Sequence, residues 1–183
     1  MSINIADTFI KIWDYSINGN LEKYKKLGLI LPYELQVLMT SDGSLTRNNA
    51  IISNDQVTVD IIDEICYIKT DTNQSIRHTN KKRFIWLVGN HHKNIFAQSH
   101  WQLIQGIEPF IDFNQPIGKE LILSEVNIHR DLLNVYFGYC NLIEEKFNHT
   151  GPLWGRSYKI NASSLSPIFI HEVFSPSLIK TIQ

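Results

Sequence analysis

The stretch Pro167-Ile168-Phe169-Ile170-His171-Glu172-Val173-Phe174-Ser175-Pro176 reads as a β-strand rich in β-branched and aromatic residues. Successive side chains of a strand point to opposite faces. Ile168, Ile170, Glu172 and Phe174 therefore share one face, and Phe169, His171 and Val173 share the other. Glu172 stands in a row with three large apolar neighbours. An acid in such a row must be paired, protonated or used, because an isolated buried charge is costly.

The segment before it carries the same kind of inconsistency. In Trp154-Gly155-Arg156-Ser157-Tyr158-Lys159-Ile160 the row Trp154, Arg156, Tyr158, Ile160 is mostly apolar and turns Arg156 inward. Its opposite row, Gly155, Ser157 and Lys159, is small or polar and is expected to face water. Arg83 heads a third row, shared with Ile85 and Leu87. Two readings of these inward charges stay open. A buried Arg–Glu pair can simply fix the fold. Alternatively, a guanidinium fork suited to carboxylate, and a Glu that is protonated or bonds a hydroxyl, would fit a small, flat, carboxylated and hydroxylated ligand.

Further out, Leu153–Ala162 and Ile168–Phe174 form a closing strand pair. Arg83 to Val88 and Asn94 to Trp101 flank the loop Gly89-Asn90-His91-His92-Lys93, a hairpin. Val57–Ile62 and Ile65–Ile68 read as one long or two short strands, and Leu132–Cys140 as strand or helix. Apolar spacing over Thr8–Ser16 predicts a helix. Pro32 followed by Tyr33–Met39 predicts another, with Pro in its first turn, ending at the turn Ser41-Asp42-Gly43-Ser44. Gln115-Pro116-Ile117-Gly118 is a turn leading into a helix over Lys119–Val126. Early helices and late strands predict a single α+β domain over residues 1–183 with an antiparallel sheet. A doubly wound fold is disfavoured, because strand–helix alternation and a Gly-rich phosphate loop are missing.

The 183 residues suffice for one core, and 43% hydrophobic with 19% charged residues is ordinary for a globular domain. A formal net charge of −1 provides no field to gather nucleic acid or an anionic membrane. Cys66 and Cys140 lack C-x-x-C spacing and make no disulfide framework. No run reaches bilayer-spanning length, and no signal or transit peptide is visible in the first residues. His91-His92 in a hairpin loop lacks a third ligand at zinc-like spacing, and His100 and His129 stand apart, so no metal is expected. His171 alternates with Glu172 and faces away from it. Ser44 and Ser157 lack a Gly-x-Ser-x-Gly context.

The order and spacing of these segments resemble the chorismate–pyruvate lyases, particularly their cyanobacterial and red-algal plastid members. Leu153-Trp154-Gly155-Arg156 with the Pro167–Pro176 stretch is similar to that family's closing hairpin. Arg83 resembles its ligand-binding Arg, Gln115–Gly118 its Pro-Leu-Gly turn, and Ser41–Thr46 its early Asp-containing turn. The match runs from about Leu31 to Pro176. It implies about six antiparallel strands with flanking helices over a closed pocket. It also implies that Arg83 binds the ring carboxylate, aided by backbone N–H groups of Leu45 and Ile117. Glu172 would meet the oxygen that becomes the phenol of 4-hydroxybenzoate. For Arg156, pairing with Glu172 and orienting the enolpyruvyl carboxylate both fit. The expectations that follow are a monomer, no cofactor, and chorismate and 4-hydroxybenzoate as small-molecule partners, in a plastid stroma or else the cytoplasm. The fold also resembles the effector-binding domains of some bacterial regulators, but the residues before Leu31 are too few for a DNA-binding module.

Overall fold

The Pro167–Pro176 stretch forms most of a strand at the centre of the sheet. The structure, a computed structural model, describes residues 8–18, 20–31, 33–41, 43, 45–70, 77–89, 91–103, 128–162 and 165–180. Its strands are β1 (Ile10–Ser16), β2 (Thr58–Thr70), β3 (Arg77–Gly89), β4 (His92–Leu103), β5 (Ile128–Tyr139), β6 (Leu153–Ala162) and β7 (Leu165–Phe174). Every neighbouring pair is antiparallel, in the order β1-β5-β6-β7-β4-β3-β2. The helices are α1 (Leu21–Ile30), α2 (Tyr33–Thr40), α3 (Leu45–Ser53), α4 (Asn141–Lys146) and α5 (Pro176–Lys180). Sheet and helices make an antiparallel α+β fold.

Most strand and helix expectations hold. The two apolar runs after Val57 are one strand, with a register shift between Ile61 and Asp63 where it bends. Leu132–Cys140 lies almost wholly within strand β5. The helix expected at Thr8–Ser16 is instead the edge strand β1. Its backbone groups pair with β5, from Ile10 opposite Tyr139 to Ser16 opposite Asn134, and this pairing overrides the local apolar spacing. That strand brings the sheet to seven. Helix α3 begins at Leu45, although Leu-Thr-Arg-Asn-Asn has only middling helix propensity. Helix α1 places Tyr24 and Leu27, with Leu31 just after it, at helical spacing toward the core, and carries the usual start signal: the Asn20 side chain accepts from the N–H groups of Glu22 and Lys23. The turn at Gln115–Gly118 and the helix over Lys119–Val126 lie outside the described residues.

The sheet is packed on both faces. On one, Leu27, Leu31, Leu35, Leu38, Met39 and Leu45 of the helical layer bury against Leu87, Ile95, Tyr158, Ile160, Ile168, Ile170 and Phe174. On the other, Phe84, Trp86, Phe96, Tyr136 and Val173 pack with Ile143 of α4. This second layer overturns one expectation, that Gly155 and Ser157 face water: both are buried. The cause is visible at Gly155, where a Cβ would stand 2.3 Å from the Tyr136 ring and 2.9 Å from the Glu172 carbonyl oxygen. Only glycine lets Tyr136 lie across β6 beside the Arg156–Glu172 strands. Gly155→Ala is therefore expected to destabilise the fold by about 1–3 kcal/mol through overpacking, measured by urea unfolding.

Candidate ligand-binding and active site

Cross-strand register builds the site on the face covered by α1, α2 and α3. Arg156 of β6 lies directly opposite Glu172 of β7, which is opposite Ala97 of β4. Two residues along, Tyr158 is opposite Ile170, Ile170 opposite Ser99, and Ser99 opposite Arg83. These form two adjacent rows on one face. Register alone thus gathers Arg83, Ser99, Ile170, Tyr158, Glu172 and Arg156 from four strands.

The acid is tightly engaged. Arg156 Nε donates to Glu172 Oε2 at 2.7 Å, and the Tyr158 hydroxyl donates to Oε1 at 2.7 Å. The two charged side chains are 2% and 5% exposed, so this is an interior ion pair, not a surface one. Arg156 Nη1 reaches further, donating to the carbonyls of Leu38 at 2.7 Å and Ser41 at 3.1 Å. Its guanidinium lies 5.1 Å from the Tyr158 ring centre and 5.8 Å from that of Phe174. Arg156 therefore ties the end of α2 to the sheet while holding Glu172 in place. Burial first, then the Glu172 charge, pushes the Tyr158 phenol above its ordinary range, so its hydroxyl stays a proton donor.

Arg83 is 1% exposed and shares the face at a distance from the Arg156–Glu172 pair. It sits two strands and two residues from Glu172, which strand spacing converts to about 12 Å between Cα atoms. Leu45 opens α3, its side chain buried in the same apolar cluster. Its N–H lies in the first helical turn, where the helix itself supplies no acceptor. Ile117 lies outside the described residues. Close by, Thr40, Ser41, Arg130, Leu132, Arg156 and Tyr158 line a narrow crevice. Arg130 donates from Nη1 to the Gly43 carbonyl, a second tie between sheet and the α2–α3 corner.

Arg83, Arg156 and Glu172 share a face, as strand alternation predicts. Tyr158 and Arg130 are site residues that alternation does not single out. Tyr158 belongs to the inward row beside Arg156, but alternation gives a side chain's face and not the partner of its hydroxyl. His91 and His92 are exposed at the β3–β4 turn. Among the described residues, no group of three or more His, Cys, Asp or Glu could hold a metal ion. A second buried acid, Glu144, is used locally: it accepts from the N–H groups of Cys140 and Gly151.

His171 stands behind Glu172, on the opposite face. Burial, and next the Lys11 ammonium, lower its pKa below the ordinary 6.5, with Glu172 acting the other way. Burial and Lys82 lower His100 likewise. The unfolded chain thus binds more protons than the fold just below pH 6.5, so these groups' stability contribution is full above that value and falls as pH drops through the window. His171→Asn is expected to flatten the fall of Tm between about pH 7 and 5. An unchanged slope would leave His171 without this role.

A buried acid with its Arg and Tyr donors, and a separate buried Arg on the same helix-covered face, make this an antiparallel α+β fold with an interior polar site. Residues 39–182 match the family described as chorismate pyruvate-lyase, Rv2949c-like, and the chain belongs to that family. It is 31% identical over 162 residues to the uncharacterised protein ycf21 of Antithamnion sp., covering 86% of this chain and 87% of that one. With ycf21 of Porphyra purpurea it shares 30% over 149 residues, covering 81% and 84%. Among solved structures, PhnF from Mycobacterium smegmatis superposes with a TM-score of 0.53 at 7% identity, over 75% of this chain and 66% of that chain. That likeness concerns the fold alone. No helix among the described residues is long and apolar enough to cross a membrane.

Proposed function

We propose that the protein is a lyase that converts chorismate to 4-hydroxybenzoate and pyruvate. The observation that carries this reading is the placing of Arg83 and Glu172 on one covered face, two strands apart, within a family described as chorismate pyruvate-lyase-like. The bond between ring C3 and the enolpyruvyl oxygen breaks, the proton on C4 is lost, and the ring becomes aromatic. The departing enolpyruvate takes a proton on its methylene and leaves as pyruvate. Aromatisation drives the step, so the chain's work is orientation and charge placement.

In this reading Arg83 forks onto the ring carboxylate, with the backbone N–H groups of Leu45 and Ile117 beside it. Glu172 accepts from the hydroxyl that becomes the phenol. Its two oxygens already accept from Arg156 and Tyr158, which supports a role in holding that hydroxyl rather than donating a proton to it. Arg156 orients Glu172. We further place the protein in a plastid, as a monomer whose product feeds plastoquinone synthesis; the red-algal relatives support the first of these. A protein of the same fold that binds aromatic acids without turnover is the alternative, and one experiment separates the two. Purified protein incubated with chorismate, coupled to a pyruvate assay, is expected to release pyruvate and 4-hydroxybenzoate in equal amounts. Binding of 4-hydroxybenzoate without pyruvate release would make it a binder.

A further inference from the structure

We infer that Tyr158 determines specificity in this site: its phenol fixes Glu172 so that the carboxylate accepts a ring hydroxyl placed opposite the ring's own carboxylate. This rests on the aromatic-acid reading above and names the feature that such an acid must carry. Tyr158 stands at one end of the row Tyr158, Ile170, Ser99, Arg83, and Arg83 stands at the other. Ile170 and Ser99, both buried, lie between them. In the proposed reading, a ligand spanning this row has its carboxylate toward Arg83 and its hydroxyl toward Tyr158 and Glu172.

The polar end of that row is held on several sides. The Tyr158 hydroxyl donates to Glu172 Oε1, and Arg156 Nε donates to Oε2. The Tyr158 ring is faced by the guanidinium carbons of Arg156 at 5.1 Å and Arg130 at 5.9 Å. An ionised carboxylate offers about four acceptor sites and no donor. With Tyr158 and Arg156 each occupying one, the sites left over welcome only a group that donates. A ring hydroxyl satisfies this. A methoxy group brings two acceptors together in a buried place with no proton between them, and a buried polar group without its partner is costly. Burial keeps the Tyr158 phenol protonated, so Tyr158 does not exchange roles with the ligand hydroxyl.

Calorimetric binding of 4-hydroxybenzoate, 4-methoxybenzoate and benzoate to wild type and Tyr158→Phe tests this. Phe keeps the ring that both arginines face, and circular dichroism checks that the variant is folded. Wild type is expected to prefer 4-hydroxybenzoate over 4-methoxybenzoate by at least about tenfold, a difference of about 1.4 kcal/mol. Without the Tyr158 hydroxyl, Oε1 is no longer held toward the row, so Tyr158→Phe is expected to lose most of that ratio through weaker binding of 4-hydroxybenzoate relative to benzoate, a selectivity change that general loosening of the fold does not produce. A wild-type preference that survives unchanged in Tyr158→Phe overturns the role of Tyr158 alone. Failure of the wild-type protein to bind any of the three overturns the aromatic-acid reading, and the inference with it. Neither result depends on turnover, so a missing lyase activity is told apart from both.

Discussion

Glu172→Ala is expected to lower the free energy of unfolding by about 3–5 kcal/mol, one of the largest single effects in the chain. The reason is what it leaves behind. Arg156, with its side chain 2% exposed, would keep its charge in the interior after losing the carboxylate that neutralises it. Its bonds to the Leu38 and Ser41 carbonyls would stay, but those groups are dipoles and not counter-charges. The Tyr158 hydroxyl would lose its acceptor as well. Replacing both members, as Arg156→Met with Glu172→Leu, is expected to restore most of the loss, because apolar groups of similar volume carry no desolvation penalty. Urea unfolding of the two singles and the double gives the coupling directly. Singles that differ little from wild type would place this pair among surface-like ion pairs. Glu172→Gln keeps the shape and is the better variant for activity, since it separates loss of charge from loss of packing.

Arg83→Ala should reduce kcat/KM for pyruvate release by about 10²–10³, the range for removing one preorganised charged group from a reacting site. Arg83 is as buried as Arg156 but stands away from the Arg156–Glu172 pair, at the far end of the Tyr158 row. In the proposed reading its charge meets the carboxylate end of chorismate rather than the hydroxyl end. Arg83→Lys keeps the charge and loses the fork, so its rate is expected between the two. Steady-state assays with chorismate, alongside circular dichroism to confirm folding, provide the comparison. Full turnover by Arg83→Ala would remove it from the site.

Both outcomes rest on side chains whose faces are legible in the amino-acid sequence. Period-two alternation places Glu172, Arg156 and Arg83 inward, because the pleat of a strand sends neighbours to opposite sides whatever the rest of the chain does. The same alternation assigns the wrong environment to Gly155 and Ser157. Their small, polar row looks solvated, whereas Tyr136 from the neighbouring strand crosses over Gly155 and buries it. Thr8–Ser16 departs from expectation for a related reason: its apolar spacing suits a helix, and only pairing with β5, more than a hundred residues away, makes it a strand.

The sequence by itself determined that three charges face inward on strands of an antiparallel α+β chain, since that follows from local alternation. Tertiary structure alone decided which charges meet. Register puts Arg156 across from Glu172, brings the Tyr158 hydroxyl to the other carboxylate oxygen, and holds Arg83 two strands away, at the opposite end of the Tyr158 row. Strand order and register are set by long-range packing on both faces of the sheet, and no local pattern in the chain encodes them.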